Sequence, residues 1–203
     1  MVAVIDYDAG NIRSVEKAMI ALGEGVVVTR NADEILSADH VILPGVGAFG
    51  DAMEKLHKYG LSQVIKDVVN QGTPFLGICL GLQLLFESSE ESAGVDGLGI
   101  LRGKIVRLPE DQRLKIPHIG WNSLRYPNKG RLFVDIPEES YVYFVHSYYL
   151  QAEESEIVTA TTEYATLIHA SVEKDNVFAC QFHPEKSSDV GMRILKNFLS
   201  ISR

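Results

Sequence analysis

A cysteine with a glycine two residues to either side is the feature of this sequence that points most directly to chemistry. Gly77, Cys79 and Gly81 follow a predicted strand and precede a predicted helix. A sharp strand-to-helix turn exposes its central side chain and tolerates only small residues two positions away. The helix N-terminus favours the thiolate, and the backbone N–H of Leu80 can face a developing oxyanion. The spacing predicts a nucleophilic Cys79, although a buried cysteine in a glycine-rich turn has the same pattern.

The tripeptide His183-Pro184-Glu185 could supply a base and the group that orients it. Pro184 favours an extended His183, and side chains two positions apart in an extended segment point the same way. Glu185 can then hold one ring nitrogen of His183 and leave the other for a nucleophile. A plain surface turn is the alternative for this tripeptide by itself. A zinc deaminase is excluded, because that signature needs a later Pro-Cys-x-x-Cys and no cysteine follows Cys180.

The first half of the chain supplies elements that could position these residues. Short apolar runs alternate with helical segments, which predicts an α/β fold with a mainly parallel central sheet and flanking helices. The predicted strands are Val2–Ile5, Val26–Val28, His40–Leu43 and Pro74–Ile78. The predicted helices are one that Asn11 caps and Gly23 ends, Asp51–Val69, Leu80–Phe86 and, near the C-terminus, Asp189–Leu199.

The second half of the sequence has a different pattern from the first, and this pattern predicts an antiparallel β extension. Short strand-like stretches are separated by turn residues such as Pro127-Asn128-Lys129-Gly130, which is typical of hairpins. We expect residues 1–203 to form a single domain. The predicted strands are Leu98–Leu108, Ile116–Leu124, Tyr141–Val145, Ile157–Thr161, Leu167–Val172 and Val177–Phe182.

Chain order predicts that the candidate residues meet at one sheet edge. Ligands of parallel sheets lie outside the carboxyl ends of the strands, and Cys79 and His183 each follow a strand. Pro44–Gly47 also follows a strand. Its glycines let the backbone approach a ligand, so a peptide N–H of Val46 or Gly47 could be a second oxyanion donor.

Composition excludes several classes of protein. The chain has 203 residues, 46% of them apolar, and a net charge of −8 from 19 basic and 27 acidic residues. It lacks the basic footprint of a nucleic-acid binder and the run of roughly 20 apolar residues of a membrane span. Asp6 comes too early for a secretory signal. Without a CxxC pair no cysteine zinc site is expected, and Cys79 and Cys180 are expected as thiols in the cytoplasm.

Gly-x-Cys-x-Gly at 77–81 together with His-Pro-Glu at 183–185 resembles the class I, triad-type glutamine amidotransferase family. Longer strings are similar to the glutaminase subunits of imidazole glycerol phosphate synthase within that family. The match covers essentially the whole chain. These strings are Asp6–Asn11, Pro44–Phe49, Gly77–Phe86, His118–Asn122, Tyr143–Tyr149 and Gln181–Ser187.

The resemblance implies hydrolysis of the glutamine carboxamide without a metal or cofactor. Cys79 would attack and form a glutamyl thioester, His183 would transfer protons, and Glu185 would hold the imidazole. Oxyanion donors would come from Leu80 and from Val46 or Gly47. The glutamine itself would lie near Gly47, Gln83, His146, Ser147 and Tyr148.

The resemblance also implies a heterodimer with a (β/α)₈-barrel cyclase that consumes the ammonia. The cyclase would convert a phosphoribulosyl-formimino-carboxamide ribonucleotide into imidazole glycerol phosphate and an aminoimidazole carboxamide ribonucleotide, and its bound substrate would activate the glutaminase. Neither a nucleic acid nor a membrane is expected as a partner. The expected docking residues are Asn11, Trp121, Tyr143 and Lys186.

Three other functions remain open from the sequence. Another class I glutaminase would serve a different synthase, such as one for pyridoxal phosphate or anthranilate. A cysteine peptidase or deglycase of similar fold would act without any partner. A regulatory domain could retain an inactive glutaminase fold, although the intact Cys79, His183 and Glu185 argue against it.

Overall fold

The computed structural model describes residues 1–202. Its helices and strands follow the alternation that the sequence predicts. The helices are α1 (Ile12–Ala21), α2 (Ala32–Leu36), α3 (Phe49–Lys58), α4 (Leu61–Asn70), α5 (Leu80–Leu84) and α6 (Ser188–Leu199). The strands are β1 (Val2–Ile5), β2 (Val26–Thr29), β3 (His40–Leu43), β4 (Phe75–Ile78), β5 (Ser88–Ser89), β6 (Gly103–Arg107), β7 (His118–Ser123), β8 (Tyr141–His146), β9 (Tyr148–Ala152), β10 (Val158–Tyr164), β11 (Thr166–Lys174) and β12 (Val177–Cys180).

A seven-stranded sheet forms the centre, in the order β10-β11-β12-β4-β3-β1-β2. The five strands from β12 to β2 are parallel, and β10 and β11 add an antiparallel edge. The strands β5, β6 and β9 form a smaller sheet, and β7 pairs with β8 as an antiparallel hairpin. The predicted α/β fold, with a mainly parallel sheet and antiparallel strands in the second half, is confirmed.

Helices cover both faces of the central sheet. Val41 and Leu43 of β3 pack on the side of α3 and α4, whereas Ile42 packs on the side of α1 and α6. Alternate residues of a strand point to opposite faces, so an uninterrupted apolar run is what a sheet buried on both sides requires. No helix within residues 1–202 is long and apolar enough to cross a membrane.

Three helix predictions differ from the structure in detail. The helical region predicted over 51–69 is divided into two helices, because Gly60 takes a left-handed φ of 69° and separates α3 from α4. Asn11 does not cap α1, since its φ is 72° and its side chain accepts no hydrogen bond from the helix. Its amide is engaged elsewhere, as described below. The helix after Cys79 is also shorter than predicted and ends at Leu84.

The strands of the second half differ from prediction mainly in their bounds. In the stretch 98–108 only Gly103–Arg107 is a strand, because the N–H groups of residues 98–101 bond back to the carbonyls of residues 84–86 in a loop. The strand β9 (Tyr148–Ala152) was not predicted; it follows β8 after Ser147. The last strand ends at Cys180 rather than at Phe182.

Candidate active site

Cys79 occupies the strained turn between β4 and α5. Its φ of 55° and ψ of −109° lie in a region that non-glycine residues rarely adopt. A Cβ at Gly81 would lie 1.9 Å from the carbonyl oxygen of Leu43, and one at Gly77 would lie 2.7 Å from that of Gly81. The turn therefore requires both glycines, as the spacing predicts.

The parallel strands β3, β4 and β12 bring three segments to one sheet edge. The loop Pro44–Gly47 follows β3, Cys79 follows β4, and His183 comes shortly after β12. The backbone ties them together, since Cys79 N–H donates to Cys180 O over 2.8 Å. This edge is where ligands of such sheets bind.

The imidazole of His183 and the carboxylate of Glu185 form a buried pair. The Nδ1–H of His183 donates to Glu185 Oε1 over 2.7 Å, and the two side chains are 1% and 0% exposed. His183 is extended, as expected, but residues Pro184–Lys186 form a single 3₁₀ turn. The pairing is thus reached through a turn and not through an extended segment.

The surroundings of His183 favour its protonated form. Burial lowers the pKa of the imidazole, but its interactions with Cys79 and Glu185 outweigh burial and raise that pKa to about 9. Within residues 1–202, Nε2 has no conventional hydrogen-bond partner. With Nδ1 held by Glu185, Nε2 is the nitrogen that can exchange a proton with a nucleophile or leaving group.

Asn11 contacts the His183–Glu185 pair, which the sequence analysis missed. Its Nδ2–H donates to Glu185 Oε1, the oxygen that also accepts from His183. The left-handed φ of Asn11 turns its side chain away from α1 and towards this carboxylate. The residue therefore helps to orient the candidate acid–base pair. Its predicted role in docking stays a prediction.

A cavity of about 280 Å³ opens beside Cys79. All five residues predicted to contact glutamine line this cavity. Its volume lies near the lower end of the range for ligand pockets, which suits a small amino acid. The lining residues are Val46, Gly47, Cys79, Leu80, Gln83, Glu91, Pro117, Val145, His146, Ser147 and Tyr148.

Glu91 is the acidic residue of this lining, and the sequence analysis did not single it out. Its Oε2 accepts from the backbone N–H of Phe49, at the start of α3, over 2.8 Å. That bond fixes a carboxylate at the cavity wall. No local motif marks Glu91, because its position depends on a contact with a helix 42 residues earlier in the chain.

His146 is held as a neutral wall residue. Its Nδ1–H donates to Tyr148 O over 2.9 Å, and its Nε2 lies 3.0 Å from His118 Nδ1. Since the carbonyl only accepts, Nε2 of neutral His146 must accept from His118. Burial lowers the pKa of His146 to about 3 and that of His118 to about 4. His146 therefore shapes the 146–148 wall and brings no charge to a ligand.

The predicted oxyanion donor Leu80 is already engaged. Its N–H donates to Gly45 O over 3.3 Å. In a trans peptide the C=O and N–H point in opposite directions, so the N–H of Val46 faces away from Leu80. The structure places both predicted segments at the site, but it does not arrange them as an oxyanion hole. The φ of 115° at Gly47 gives the loop a conformation that suits glycine.

Three of the predicted docking residues lie close together on the surface. Trp121 of β7 is 51% exposed and meets Tyr143 of β8 at a ring-centroid distance of 6.2 Å. The backbone of Tyr143 bonds to His183 and Ser187, which places the exposed Lys186 beside this hairpin. We call Ile119, Trp121, Tyr141, Tyr143 and Lys186 the hairpin surface.

Comparisons with known proteins agree with this geometry. A family model described as class-I glutamine amidotransferase matches residues 3–201. Among solved structures, a crystal structure of glutamine amidotransferase is similar with a TM-score of 0.76 at 19% identity, covering 98% of this chain and 97% of that chain. The chain belongs to the class I glutamine amidotransferase family.

Curated relatives narrow this assignment. The imidazole glycerol phosphate synthase subunit HisH of Moorella thermoacetica is 52% identical over 202 residues, covering 100% of this chain and 95% of the relative. HisH of Caldanaerobacter subterraneus subsp. tengcongensis is 50% identical, with 98% and 97% covered. Within the family, the chain is a glutaminase subunit of the HisH type.

Proposed function

We propose that this chain hydrolyses glutamine at Cys79 and delivers the ammonia to a cyclase that builds an imidazole ring for histidine biosynthesis. The observation that carries the proposal is the strained Cys79 beside the buried His183–Glu185 pair, at the end of an amino-acid-sized cavity. A thiol nucleophile suits a reducing compartment, which supports a cytoplasmic location. The central sheet joins strands from both halves of the chain, which supports one domain over 1–203.

The proposed reaction has two steps that share one base. Cys79 Sγ attacks the side-chain carbonyl carbon, and His183 Nε2 passes the thiol proton to the departing ammonia. The resulting thioester is hydrolysed by a water whose proton His183 accepts, which releases glutamate and restores the thiol. Glutamine and water thus give glutamate and ammonia. Glu185 stabilises the imidazolium in both steps.

The cavity offers complementary groups for the amino-acid end of glutamine. The negative carboxylate of Glu91 complements the positive α-ammonium group, and Glu91 lines the same cavity as Ser147 and Tyr148. Both N–H donors of Gln83 are used by protein acceptors, Tyr148 O and Gln181 Oε1. Gln83 can therefore offer a substrate only its carbonyl oxygen. We propose that Gly47 contacts the glutamine through its backbone and that His146 packs against it.

The oxyanion hole requires a rearrangement of the loop Pro44–Gly47. Rotation of the Gly45–Val46 peptide would release Leu80 N–H from Gly45 O and turn Val46 N–H towards the site. Both donors would then face the tetrahedral intermediate. Until this happens, we expect slow hydrolysis.

A partner is proposed because ammonia is protonated and lost as a nucleophile in bulk water. The relatives are named as subunits of imidazole glycerol phosphate synthase. We propose a heterodimer with its (β/α)₈-barrel cyclase, docked on the hairpin surface and Asn11. An exposed Trp121 next to Ile119, which is 60% exposed, is typical of an interface. Lys186 and Glu185 belong to the same 3₁₀ turn. A partner docked at Lys186 could therefore change the position of Glu185 in the active site.

The glutamine analogue 6-diazo-5-oxo-norleucine tests the proposed activity directly. We expect a single covalent adduct on Cys79 by peptide mass spectrometry, formed fastest with the cyclase and its ligand present and suppressed by excess glutamine. Cys180 is fully buried and should stay unmodified. An unlabelled Cys79 in the complete assembly would favour a peptidase, a deglycase or an inactive domain instead.

The Glu185→Gln variant should lose activity and shift its pH dependence. In the wild type we expect kcat/KM to fall above about pH 9 as the imidazolium deprotonates. Without the carboxylate the imidazolium is less stable, so this alkaline limb should move to lower pH. By analogy with a triad carboxylate, kcat should fall by about 10²–10⁴. The check is kcat/KM against pH in the assembled complex.

The exposed Glu153→Gln serves as the control for Glu185→Gln. It removes one carboxylate without touching the site, so its pH profile should match the wild type. An unchanged alkaline limb in Glu185→Gln would remove Glu185 from the proposed triad.

A further inference from the structure

The side chain of Gln181 contacts the sulfur of Cys79. The Nε2–H of Gln181 donates to Cys79 Sγ over 3.7 Å. Gln181 is 0% exposed and follows β12 directly, two residues before His183. An apolar side chain would serve packing better at this buried position, because the two polar groups of an amide cost free energy when they are left unpaired. The amide of Gln181 therefore needs another explanation.

The neighbouring groups fix which end of the Gln181 amide faces the sulfur. Tyr148 O can only accept, so the atom of Gln83 that lies 3.1 Å from it must be the nitrogen. The same Gln83 Nε2 lies 3.0 Å from Gln181 and therefore requires the oxygen of that amide. The nitrogen of Gln181 is then left for Cys79. The backbone carbonyl of Tyr148 thus sets the direction of the whole series of hydrogen bonds from Gln83 through Gln181 to Cys79.

A directed N–H next to sulfur stabilises the thiolate more than the thiol. Hydrogen bonds to an ionised acceptor are stronger than those between neutral groups, and the thiolate is the reactive form. The series also fixes the position of Sγ relative to the cavity, because Gln83 and Tyr148 both belong to the cavity wall. The nucleophile and the glutamine site are therefore joined by two buried amides.

We infer that Gln181 is a catalytic residue that holds and stabilises the Cys79 thiolate, with Gln83 as the positioning residue that fixes its orientation. The inference deepens the proposed function, on which it rests. It assigns Gln181 a task distinct from that of His183, which moves the proton. Gln181 stabilises the sulfur once His183 has taken its proton, and holds it in place for the attack on glutamine.

The test is the pH profile of Cys79 alkylation by iodoacetamide, followed by peptide mass spectrometry on the full chain. In Gln181→Met, a variant of similar size without a donor, we expect the rate at pH 7 to fall about tenfold. The midpoint of the profile should move up by about one pH unit. In Gln181→Glu the fall should be larger, because a carboxylate would face the thiolate.

The exposed Gln63→Met on α4 is the matched control, and its profile should equal that of the wild type. In the complex, Gln181→Met should lower kcat about tenfold with a smaller change in KM. A folded Gln181→Met with a wild-type alkylation profile would overturn the inference. If the wild type neither reacts with the diazo analogue nor hydrolyses glutamine in the complex, the proposed function fails. The alkylation profile would still test whether Gln181 stabilises the Cys79 thiolate.

A measurement on the wild type covers the case in which Gln181→Met does not fold. The side-chain ¹⁵N amide resonance of Gln181 should titrate with the same midpoint as Cys79 alkylation. It should lose that titration in Cys79→Ala. A Gln181 resonance that is insensitive to the state of Cys79 would contradict the inference.

Discussion

Cys79→Ala should abolish glutamine-dependent synthesis while leaving ammonium-dependent synthesis intact in the complex with the cyclase. Removing a covalent nucleophile costs at least ~10⁴ in kcat, because no thioester can form. The partner's own site needs only ammonia, which added ammonium salt supplies. The two rates are measured side by side in the same preparation, and the ammonium-dependent rate should stay close to that of the wild type.

Cys180→Ala is the matched control for Cys79→Ala. It removes the other free thiol, which is fully buried in the core beneath the site. Both rates should survive in this variant, with some loss of stability from the small cavity. If Cys79→Ala lost both rates although the complex still formed, the separation of glutamine hydrolysis from ammonia use would be wrong.

Gly81→Ala should damage the turn itself. Its Cβ would lie 1.9 Å from Leu43 O, a backbone atom that cannot rotate out of the way. We expect a loss of about 1–3 kcal/mol in the free energy of unfolding, as for other overpacked sites. Displacement of Cys79 should also lower kcat/KM by about 10² or more. Urea unfolding and the glutaminase assay measure the two effects.

Gly25→Ala provides the comparison for Gly81→Ala. A Cβ at Gly25 would meet no atom within 4 Å, so the same chemical change should have little effect there. Wild-type stability and kinetics in Gly81→Ala would show that the strand-to-helix turn does not depend on a glycine at this position.

The parts of the fold that could be predicted from sequence are those fixed by local patterns. The uninterrupted apolar runs at Val2–Ile5 and Val41–Leu43 required a sheet buried on both faces, and the structure has one. Gly77 and Gly81 indicated the turn because their spacing around Cys79 is visible within five residues, although the contact that requires Gly81 is with Leu43 O. Helix breaks were harder, since the left-handed Gly60 between α3 and α4 interrupts an otherwise continuous helical pattern.

The site contacts that escaped prediction join residues far apart in the chain. Asn11 looked like a helix cap, but its contact with Glu185 spans 174 positions and overrides the local preference. The pairing of His118 with His146 depends on the register of β7 with β8. Gln181 was closer to detection. Its place at a strand end, two residues before His183, was a usable signal.

The hydrogen bond from Leu80 N–H to Gly45 O offers a physical reason for the proposed control by a partner. A glutaminase that releases ammonia without an acceptor wastes glutamine, so an incomplete oxyanion hole in the free chain is useful. Losing one such donor typically costs about 10²–10³ in kcat. Docking on the hairpin surface and Asn11, as proposed, would only need to favour the rotated peptide to restore that factor.

The most direct test of the proposed function is glutamine hydrolysis by the purified chain, measured alone and then with the barrel cyclase and its ribonucleotide ligand. Because Leu80 N–H is occupied by Gly45 O, we expect slow hydrolysis by the chain alone. With cyclase and ligand, the rate should rise by about 10² or more as both donors become available. Fast hydrolysis by the free chain, indifferent to cyclase and ligand, would contradict both the proposed partner and the proposed control through the Gly45–Val46 peptide.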